Sequence, residues 1–373
     1  MRIAVTVNTS WNIYNFRMGL IDALRKAGHE VKAIAPYDEY TDLLEKAGIQ
    51  CYPIKMENKG SNPFKDLSLI IQLYKIYKKL KPDVILQYTI KPNIYGSIAA
   101  GILGIPVINN VSGLGTVFLH DSLISGIAIR LYKFAFRFPR KVFFQNEDDR
   151  KLFIERKIVK PEITDVLPGS GIDLDKFSQR AYSRNSPFVF LMVARLLYDK
   201  GIVEYAEAGK ILKAQGKNVR LKVLGSPDTE SKLGIPLSLL EEWEQQGYIE
   251  YGGFSNNIIE AMKNADVVVL PSYREGTPRT LLEAASMGIP LIATNVPGCR
   301  EIVVDNKNGY LCAAKDAGGL AVQMEKMLEL NDQQLNDMGK NSREIAFAKF
   351  DQNIVSGKYL DAITSIGSSA KMK

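Results

Sequence analysis

A chain of 373 residues is longer than one hydrophobic core usually serves, so two domains are the first expectation. Its 46% hydrophobic and 24% charged residues are ordinary for a globular protein. The longest apolar stretch, residues 98–111, contains Gly, Pro and Asn and is too short to span a bilayer. The first residues have the pattern of a strand and not of a signal peptide. Three widely spaced cysteines indicate a reducing compartment and offer no metal-ligand spacing.

The net charge of +7 is concentrated in the first half of the chain. Residues 1–180 hold 26 Lys and Arg against 18 Asp and Glu, whereas residues 181–373 hold 22 against 23. This asymmetry indicates an anionic surface or ligand on one side only. No nucleic-acid-binding motif is present, and two basic segments rich in aromatic residues, 64–81 and 123–144, favour an anionic membrane. Each segment is also compatible with a helix that packs one face on the core and leaves a basic face in water.

Strand and helix patterns alternate along the first half. Short apolar runs predict strands at 2–7, 31–36, 50–54, 83–87, 107–110, 141–145 and 163–167. Helical periodicity predicts helices at 16–27, 38–47, 63–80, 92–103 and 147–156, with a polar loop at 8–15. Such alternation is typical of a parallel, doubly wound sheet.

The alternation restarts after a segment rich in Gly, Pro and Ser. Strands are predicted at 188–194, 219–224, 248–251, 267–270, 290–293 and 310–312. Helices are predicted at 202–214, 236–246, 255–261 and 318–328, and from Asp332 onward, with a loop at 295–301. We therefore predict an N-terminal domain at 1–168, a linker at 169–186, a C-terminal domain at 187–345, and a final helix at 346–373 that is able to cross back to the first domain.

Two carboxylates follow the buried strand of the second half. Thr277 suits an N-cap, Pro278 the first helical position and Gly288 the helix stop, which places Glu275 in a loop and Glu283 in a helix. Ligands bind at this edge of open α/β sheets, near helix N-termini. A pair of carboxylates there suits the hydroxyl groups of one ligand, although a Glu pair on a solvated helix start has the same spacing.

Arg195 and Lys200 follow the first strand of the second half, five residues apart. A guanidinium fork and an ammonium group at a strand edge suit a diphosphate, whereas two solvated surface charges are the alternative. Asp173 and Asp175 form a D-x-D pair of the kind that binds metal–diphosphate complexes, but no acidic cluster supports it.

Several motifs together resemble the family 4 glycosyltransferases of the GT-B fold. The motifs are ARLLYDKG (194–201), FSNN (254–257), PSYREGTPRTLLEAASMGIP (271–290) and PGCREIV (297–303), within which Glu275 and Glu283 match the family's Glu-x7-Glu pattern. The resemblance covers essentially the whole chain and implies two Rossmann-like α/β domains facing each other across a cleft. The first half is similar to a narrower branch that includes the bacterial N-acetylgalactosaminyltransferase acting on undecaprenyl-diphospho-bacillosamine and related O-antigen and capsule enzymes. It does so through NFR (15–17), IKPNIYG (90–96), NVSGLGT (110–116), FFQNEDD (143–149) and PGSGIDLDKF (168–177).

The resemblance also implies roles for single residues. For the donor, Glu275 and the backbone N–H groups of Gly276, Thr277 and Arg279 would bind the sugar, and Glu283 would bind the ribose. Arg195 and Lys200 would bind the diphosphate and stabilise the leaving group. Gly225, Gly253 and Phe254 would contact the rest of the nucleotide, with Gly253 and Phe254 near its base. For the acceptor diphosphate and its surroundings we predict Arg17, Lys91, Asn93, Gly113 and Gly115. No metal or other cofactor is expected, because cationic side chains and a helix N-terminus would replace it.

Two features depart from the pattern of many family members. The loop after the first strand is NTSWNIYNF instead of a Gly-Gly loop, and SGLG (112–115) holds the position where many members have a His near the donor sugar. Both resemble the lipid-acceptor branch. They leave the proton acceptor for the incoming hydroxyl unassigned, with the donor phosphate as one candidate.

The resulting expectation is a retaining glycosyltransferase that moves a hexose or N-acetylhexosamine, with N-acetylgalactosamine as the best guess. The donor would be a UDP-sugar and the acceptor an undecaprenyl-diphosphate-linked sugar. It would work in the bacterial cytoplasm, bound to the inner face of the membrane, in surface-glycan or glycoprotein-glycan synthesis. A UDP-sugar 2-epimerase of the same fold and a non-catalytic membrane scaffold are the alternatives.

Overall fold

The computed structural model describes residues 1–57, 62–113, 123–228, 231, 233–255 and 257–371. The chain forms two compact units, one of Met1–Ser170 with Gln352–Lys373 and the other of Gly171–Asp351. We call them unit 1 and unit 2. Each is built on one parallel sheet with helices on both faces, as the alternating strand and helix patterns predict.

Unit 1 contains seven strands that pair in parallel. They are β1 (Arg2–Thr6), β2 (Glu30–Ala35), β3 (Gln50–Pro53), β4 (Val84–Tyr88), β5 (Val107–Val111), β6 (Lys141–Phe144) and β7 (Thr164–Val166). Their order across the sheet is β3-β2-β1-β4-β5-β6-β7, so the winding direction reverses between β1 and β4. Alternate residues of β1 enter the cores on opposite faces, Ile3 and Val5 on one face and Ala4 on the other.

The helices of unit 1 follow these strands in the chain. They are α1 (Ser10–Phe16), α2 (Met18–Lys26), α3 (Thr41–Lys46), α4 (Pro63–Leu80), α5 (Ser97–Leu103), α6 (Leu123–Ala135) and α7 (Glu147–Glu155). A single π-helical turn, Pro92–Gly96, precedes α5, and a short 3-10 turn spans Pro161–Ile163.

Unit 2 contains six strands, again all parallel. They are β8 (Phe188–Val193), β9 (Val219–Leu224), β10 (Glu250–Tyr251), β11 (Val267–Leu270), β12 (Leu291–Thr294) and β13 (Gly309–Cys312). The order is β10-β9-β8-β11-β12-β13, which reverses between β8 and β11. The helices are α8 (Ile202–Ala214), α9 (Leu237–Gln245), α10 (Ile258–Lys263), α11 (Arg279–Ser286), α12 (Cys299–Ile302), α13 (Ala317–Glu329) and α14 (Asp332–Phe350), and a 3-10 turn spans Tyr198–Lys200.

The last helix, α15 (Gln352–Lys371), belongs to unit 1. Its Val355, Tyr359 and Ile363 are buried in the core that also holds Ile3 and Val5. Lys358 adds a hydrogen bond from its Nζ to the carbonyl oxygen of Val166, at 2.7 Å. The chain therefore leaves unit 1 once and returns to it.

Three predicted segments have a different structure. The predicted loop at 8–15 contains α1, because the Thr9 side chain accepts a hydrogen bond from the Asn12 N–H and caps the helix. The predicted loop at 295–301 contains the short helix α12. The predicted helix at 92–103 begins with the π turn, which is held by a buried polar network described below.

The change from unit 1 to unit 2 occurs at Ser170 and not through a linker at 169–186. The Gly, Pro and Ser content of this segment predicts a linker, but three of its apolar side chains pack in the core of unit 2. They are Ile172, Leu174 and Phe177. The Arg343 guanidinium donates hydrogen bonds to the carbonyl oxygens of Leu174 and Phe177. At the other end, α14 runs without interruption to Phe350, so unit 2 ends at Asp351 instead of residue 345.

Within the described parts of the chain, no helix has the length and apolar character needed to cross a bilayer.

Candidate functional site

The winding reversal in unit 2 places two loops side by side. β8 and β11 are paired neighbours, and their carboxyl ends lead into the loop with Lys200 and the loop with Glu275. Crevices outside the strand ends at such reversals are the usual ligand sites of open α/β sheets. This edge of unit 2 is therefore the first place to look for a site.

Lys200 and Glu275 form an ion pair at this edge. The Lys200 Nζ lies 2.6 Å from Glu275 Oε1, and the two side chains are only 16% and 14% exposed. The pair is thus largely shielded from water. Opposite charges attract more strongly in such a shielded position than at a fully exposed surface. The sequence predicted both residues at one edge but gave them different partners, the diphosphate and the sugar. A diphosphate would compete with Glu275 for the Lys200 ammonium group.

Backbone contacts hold the two loops together. The Tyr273 N–H donates to the Asp199 carbonyl oxygen at 2.9 Å. Gly201 adopts a φ of +75°, and a Cβ there would overlap the Pro271 carbonyl oxygen. Gly298 packs against the Glu275 loop in the same way. Its φ is +82°, and a Cβ there would overlap the Gly276 carbonyl oxygen. Only glycine accepts both the backbone geometry and the close approach.

The helix with Glu283 starts later than the sequence predicts. Pro278, with φ −70° and ψ 118°, is the N-cap of α11, so the prediction of Thr277 as N-cap and Pro278 as first helical residue is wrong. The extended ψ of Pro278 delays the helix by one residue, and no side chain caps this end. The predicted stop is correct, because Gly288 follows the helix with a φ of +71°.

Glu283 points into a shielded position on α11. Its Oε1 accepts a hydrogen bond from Arg279 Nε at 3.0 Å, and its side chain is 15% exposed. Burial raises the pKa of Glu283, while the Arg279 guanidinium and the Lys176 ammonium oppose that rise. Arg279 also donates to the Gly171 carbonyl oxygen at 2.7 Å. The sequence assigned only the backbone of Arg279 to the site, although the spacing of four residues from Glu283 was a signal for this side-chain contact.

The remaining donor-side residues lie on the loops after β8, β9 and β10. Arg195 is exposed, and its guanidinium makes no hydrogen bond or ion pair with the described residues. The Gly225 N–H donates to the Gly253 carbonyl oxygen at 2.9 Å, which ties the ends of β9 and β10 together. Phe254, next to Gly253, is 62% exposed and offers an aromatic face.

The predicted D-x-D pair has a structural role. Asp173 Oδ1 accepts hydrogen bonds from the backbone N–H groups of Asp175 and Lys176, so this carboxylate caps a turn. Among the residues that the structure describes, no group of three His, Cys, Asp or Glu side chains is arranged to hold a metal ion.

Unit 1 has a polar edge at its own winding reversal. Arg17, which follows α1, is 5% exposed, and its guanidinium lies 4.1 Å from the centre of the Tyr88 ring at the end of β4. Its Nε is buried without a hydrogen-bond partner, and no carboxylate among the described residues pairs with it. A buried cation without a counter-charge is costly unless it serves an anionic ligand.

The other residues predicted for the acceptor are placed differently. The Lys91 Nζ forms an ion pair with Asp66 at 2.9 Å, so its charge already has a partner. Asn93 is 1% exposed and donates from Nδ2 to the Asn110 carbonyl oxygen at 2.8 Å. Gly113 follows β5 with a φ of +129°. Gly115 lies outside the described residues.

Two family profiles match the chain. "Glycosyl transferase 4-like" matches residues 2–146 and "Glycosyl transferases group 1" matches residues 174–345. A Campylobacter jejuni N,N'-diacetylbacillosaminyl-diphospho-undecaprenol alpha-1,3-N-acetylgalactosaminyltransferase is 31% identical over 96% of this chain and 97% of its own length. The chain belongs to the family 4 glycosyltransferases.

Further similarities agree with the family and the fold. An Escherichia coli UDP-Gal:alpha-D-GlcNAc-diphosphoundecaprenol alpha-1,3-galactosyltransferase is 29% identical to this glycosyltransferase over 81% of the chain and 80% of that enzyme. The crystal structure of Anabaena Alr3699/HepE in complex with UDP superposes with a TM-score of 0.77, at 20% identity and over 98% of this chain and 100% of that one. The glycosyltransferase therefore has the GT-B fold that the motifs imply.

Proposed function

We propose that this glycosyltransferase transfers a hexose or N-acetylhexosamine from a UDP-sugar to an undecaprenyl-diphosphate-linked sugar, with retention at the anomeric carbon. N-acetylgalactosamine is the first donor sugar to test. The observation that carries the proposal is the shielded pair of Lys200 and Glu275 at the winding reversal of unit 2. The names of the two curated relatives, which act on undecaprenyl-diphosphate sugars, support the choice of acceptor.

The proposed donor site uses the charges of unit 2. Arg195 and Lys200 bind the diphosphate and stabilise the negative charge that develops on the leaving group. Glu275, released from Lys200 by the diphosphate, accepts hydrogen bonds from the sugar hydroxyls. Glu283 does the same for the ribose hydroxyls, while Arg279 keeps its carboxylate oriented. Phe254 and the linked glycines 225 and 253 border the base.

The proposed acceptor site is the edge of unit 1. Arg17 is the group best suited to a phosphate, because it is buried, positively charged and not paired. Lys91 would have to leave Asp66 to contribute. We propose that Arg17 is the main cationic contact of the acceptor diphosphate.

A transfer assay with product analysis tests the proposed function. The enzyme is incubated with each UDP-sugar, with and without an undecaprenyl-diphosphate-linked sugar. We expect a lipid-linked disaccharide only when both substrates are present, and undiminished rates in EDTA, because Arg195 and Lys200 supply the positive charge. Conversion of the UDP-sugar to its 2-epimer without acceptor would identify the epimerase instead, and no turnover of any donor would favour a scaffold.

We further propose that unit 1 docks on the anionic inner face of the bacterial cytoplasmic membrane. On α4, Phe64, Leu67 and Ile71 are 85%, 56% and 47% exposed and lie on one stripe. Lys75 and Lys78 continue the same stripe and are exposed. Apolar side chains followed by lysines on one helical face match the acyl and headgroup layers of an anionic bilayer.

A second helix of unit 1 has a similar exposed stripe. On α6, Ile127 and Phe134 are 58% and 47% exposed, and Arg130 and Arg137 share their stripe. The two basic segments also contain Tyr77, Phe136, Phe143 and Phe144, but these four side chains are buried in the core and do not contribute to the exposed stripes. The periodicity does not tell which apolar stripe of a helix meets the sheet.

Replacing Phe64, Leu67 and Ile71 together with serine should reduce binding to phosphatidylglycerol vesicles at least about tenfold, since each loses apolar burial worth ~1 kcal/mol or more. Wild-type binding should weaken as salt rises and be poor on phosphatidylcholine vesicles. Phe347→Ser is the matched control, because Phe347 is 65% exposed on α14 of unit 2. Equal vesicle binding by the triple variant and the wild type would refute docking through this surface.

A further inference from the structure

Several buried oxygen atoms at the edge of unit 1 have no hydrogen-bond partner. Asn93 and Asn110 are both 1% exposed, and the side-chain oxygen of each is unsatisfied. The orientation of the Asn93 amide is fixed, because its nitrogen must face the Asn110 carbonyl oxygen. Asn110 uses its Nδ2 on the Tyr359 hydroxyl, at 3.0 Å. Asn93 therefore presents an acceptor oxygen that no protein group uses, and Asn110 presents one in the orientation in which its Nδ2 donates to Tyr359.

Thr89 contributes a third unused oxygen in a strained position. It follows β4 directly and has a φ of +67°, which a β-branched residue rarely adopts. Its Oγ1 is buried without a partner, and its carbonyl oxygen accepts the Asn93 N–H at 3.0 Å. Strain in such a residue persists where the surrounding structure imposes it, and such residues cluster at ligand sites.

The buried polar network of Thr6, Tyr77, Gln87, Ser97 and Asn109 is, by contrast, fully paired. Tyr77 Oη contacts Thr6 Oγ1 at 3.0 Å and accepts from Gln87 Nε2 at 3.1 Å. Ser97 Oγ donates to Gln87 Oε1 at 3.0 Å and accepts from Asn109 Nδ2 at 2.9 Å. This network fixes the π turn that holds Asn93. The unsatisfied oxygens thus lie on a rigid base, at the edge and not throughout the core.

These oxygens belong to the same strand ends as the Tyr88 ring that the Arg17 guanidinium covers. β1, β4 and β5 are adjacent, and Tyr88 is paired in register with Asn110. The Arg17 guanidinium covers the Tyr88 ring, and Thr89 is the next residue after Tyr88. Asn93 donates a hydrogen bond to the Asn110 carbonyl oxygen. A metal cation is disfavoured here by the unpaired guanidinium. The arrangement instead suits a ligand with one anionic group and several O–H or N–H donors.

We propose that Thr89, Asn93 and Asn110 form, with Arg17, a subsite for a phosphate-linked sugar of the acceptor. The phosphate lies on Arg17, and the three oxygens accept hydrogen bonds from hydroxyl or amide N–H groups of the sugar ring. The subsite rests on the proposed function for the identity of its ligand. It adds recognition of the sugar by unit 1, so that a bare polyprenyl diphosphate is a poor ligand.

Equilibrium binding with three probes tests this subsite. The probes are short-chain prenyl diphosphates that carry N-acetylglucosamine, glucose or no sugar, titrated calorimetrically into the full-length enzyme. We expect the wild type to bind at least one sugar-bearing probe about tenfold more tightly than the bare diphosphate, because two or three hydrogen bonds are added. A preference for the N-acetylglucosamine probe over the glucose probe would assign one oxygen to the amide N–H.

Variants of Thr89 separate recognition from folding. Thr89→Val and Asn110→Ala should each reduce the sugar preference at least threefold and leave the affinity for the bare diphosphate unchanged, whereas Thr89→Ser should keep the preference. Thr89→Gly relieves the positive φ, so it should melt at or above the wild-type temperature and still lose the preference. Wild-type preference in Thr89→Val and Asn110→Ala, or no preference in the wild type, overturns the subsite. Absence of sugar transfer by a wild-type enzyme that shows the expected sugar preference would instead overturn the proposed function and leave the subsite standing.

Discussion

Replacing Lys200 with methionine should lower the kcat of sugar transfer by about a thousandfold, the loss expected when one group that stabilises developing charge is removed. Lys200 is shielded and lies 2.6 Å from Glu275, so its positive charge acts in a site of low water content. Methionine keeps most of the side chain's length and removes the charge together with its hydrogen-bond donors. Steady-state rates with radiolabelled UDP-sugar measure the effect.

The partner of Lys200 provides the control for folding. Lys200→Met alone leaves the Glu275 carboxylate without its counter-ion, which costs about 1–3 kcal/mol in a part-buried position. The double variant Lys200→Met/Glu275→Gln should recover much of the melting temperature and remain inactive. Lys340→Met, which removes a lysine paired with Asp337 on α14, should behave as wild type. Turnover within tenfold of wild type in Lys200→Met would contradict the assignment of the leaving-group charge to this residue.

Replacing Arg17 with glutamine should lower kcat/KM for the acceptor by about a hundredfold, since a charge-assisted hydrogen bond to a phosphate contributes ~1.5–3 kcal/mol. The KM for the donor should not change, because Arg17 belongs to unit 1. Arg17→Lys should be intermediate, because an ammonium group keeps the charge but loses the planar stacking on Tyr88.

The stability of the Arg17 variant distinguishes a binding role from a structural one. Arg17 is 5% exposed and its guanidinium has no counter-charge among the described residues, so it is expected to lower the stability of the fold. Arg17→Gln should therefore melt no lower than the wild type while it loses activity. A marked loss of melting temperature, with unchanged kcat/KM for the acceptor in the folded fraction, would show that Arg17 serves the core.

Much of the fold follows from apolar periodicity. Helices 63–80 and 202–214 and strands 219–224 and 267–270 have the bounds that the sequence predicts, because each has a clear apolar pattern and a capping or turn residue at its ends. Helix α1 was missed because polar residues and aromatic residues alternate in it without a core stripe. Its cap, Thr9, was the available signal.

The candidate site is only partly readable from sequence. Lys200 and Glu275 were expected at one sheet edge, since both follow strands, but their contact depends on the pairing of β8 with β11. Asn110 and Tyr359 are 249 positions apart, and only the return of α15 to unit 1 brings them together. Thr89 has no sequence signal at all, because its role arises from its backbone conformation.

The most direct test of a donor site in unit 2 and an acceptor site in unit 1 is the equilibrium binding of both ligands to the two variants. The ligands are UDP and the short-chain N-acetylglucosaminyl prenyl diphosphate, and the variants are Lys200→Met and Arg17→Gln. We predict that Lys200→Met loses UDP affinity and binds the prenyl diphosphate as wild type, and that Arg17→Gln shows the reverse. Equal weakening of both ligands by either variant, or loss of UDP binding in Arg17→Gln alone, would contradict the account.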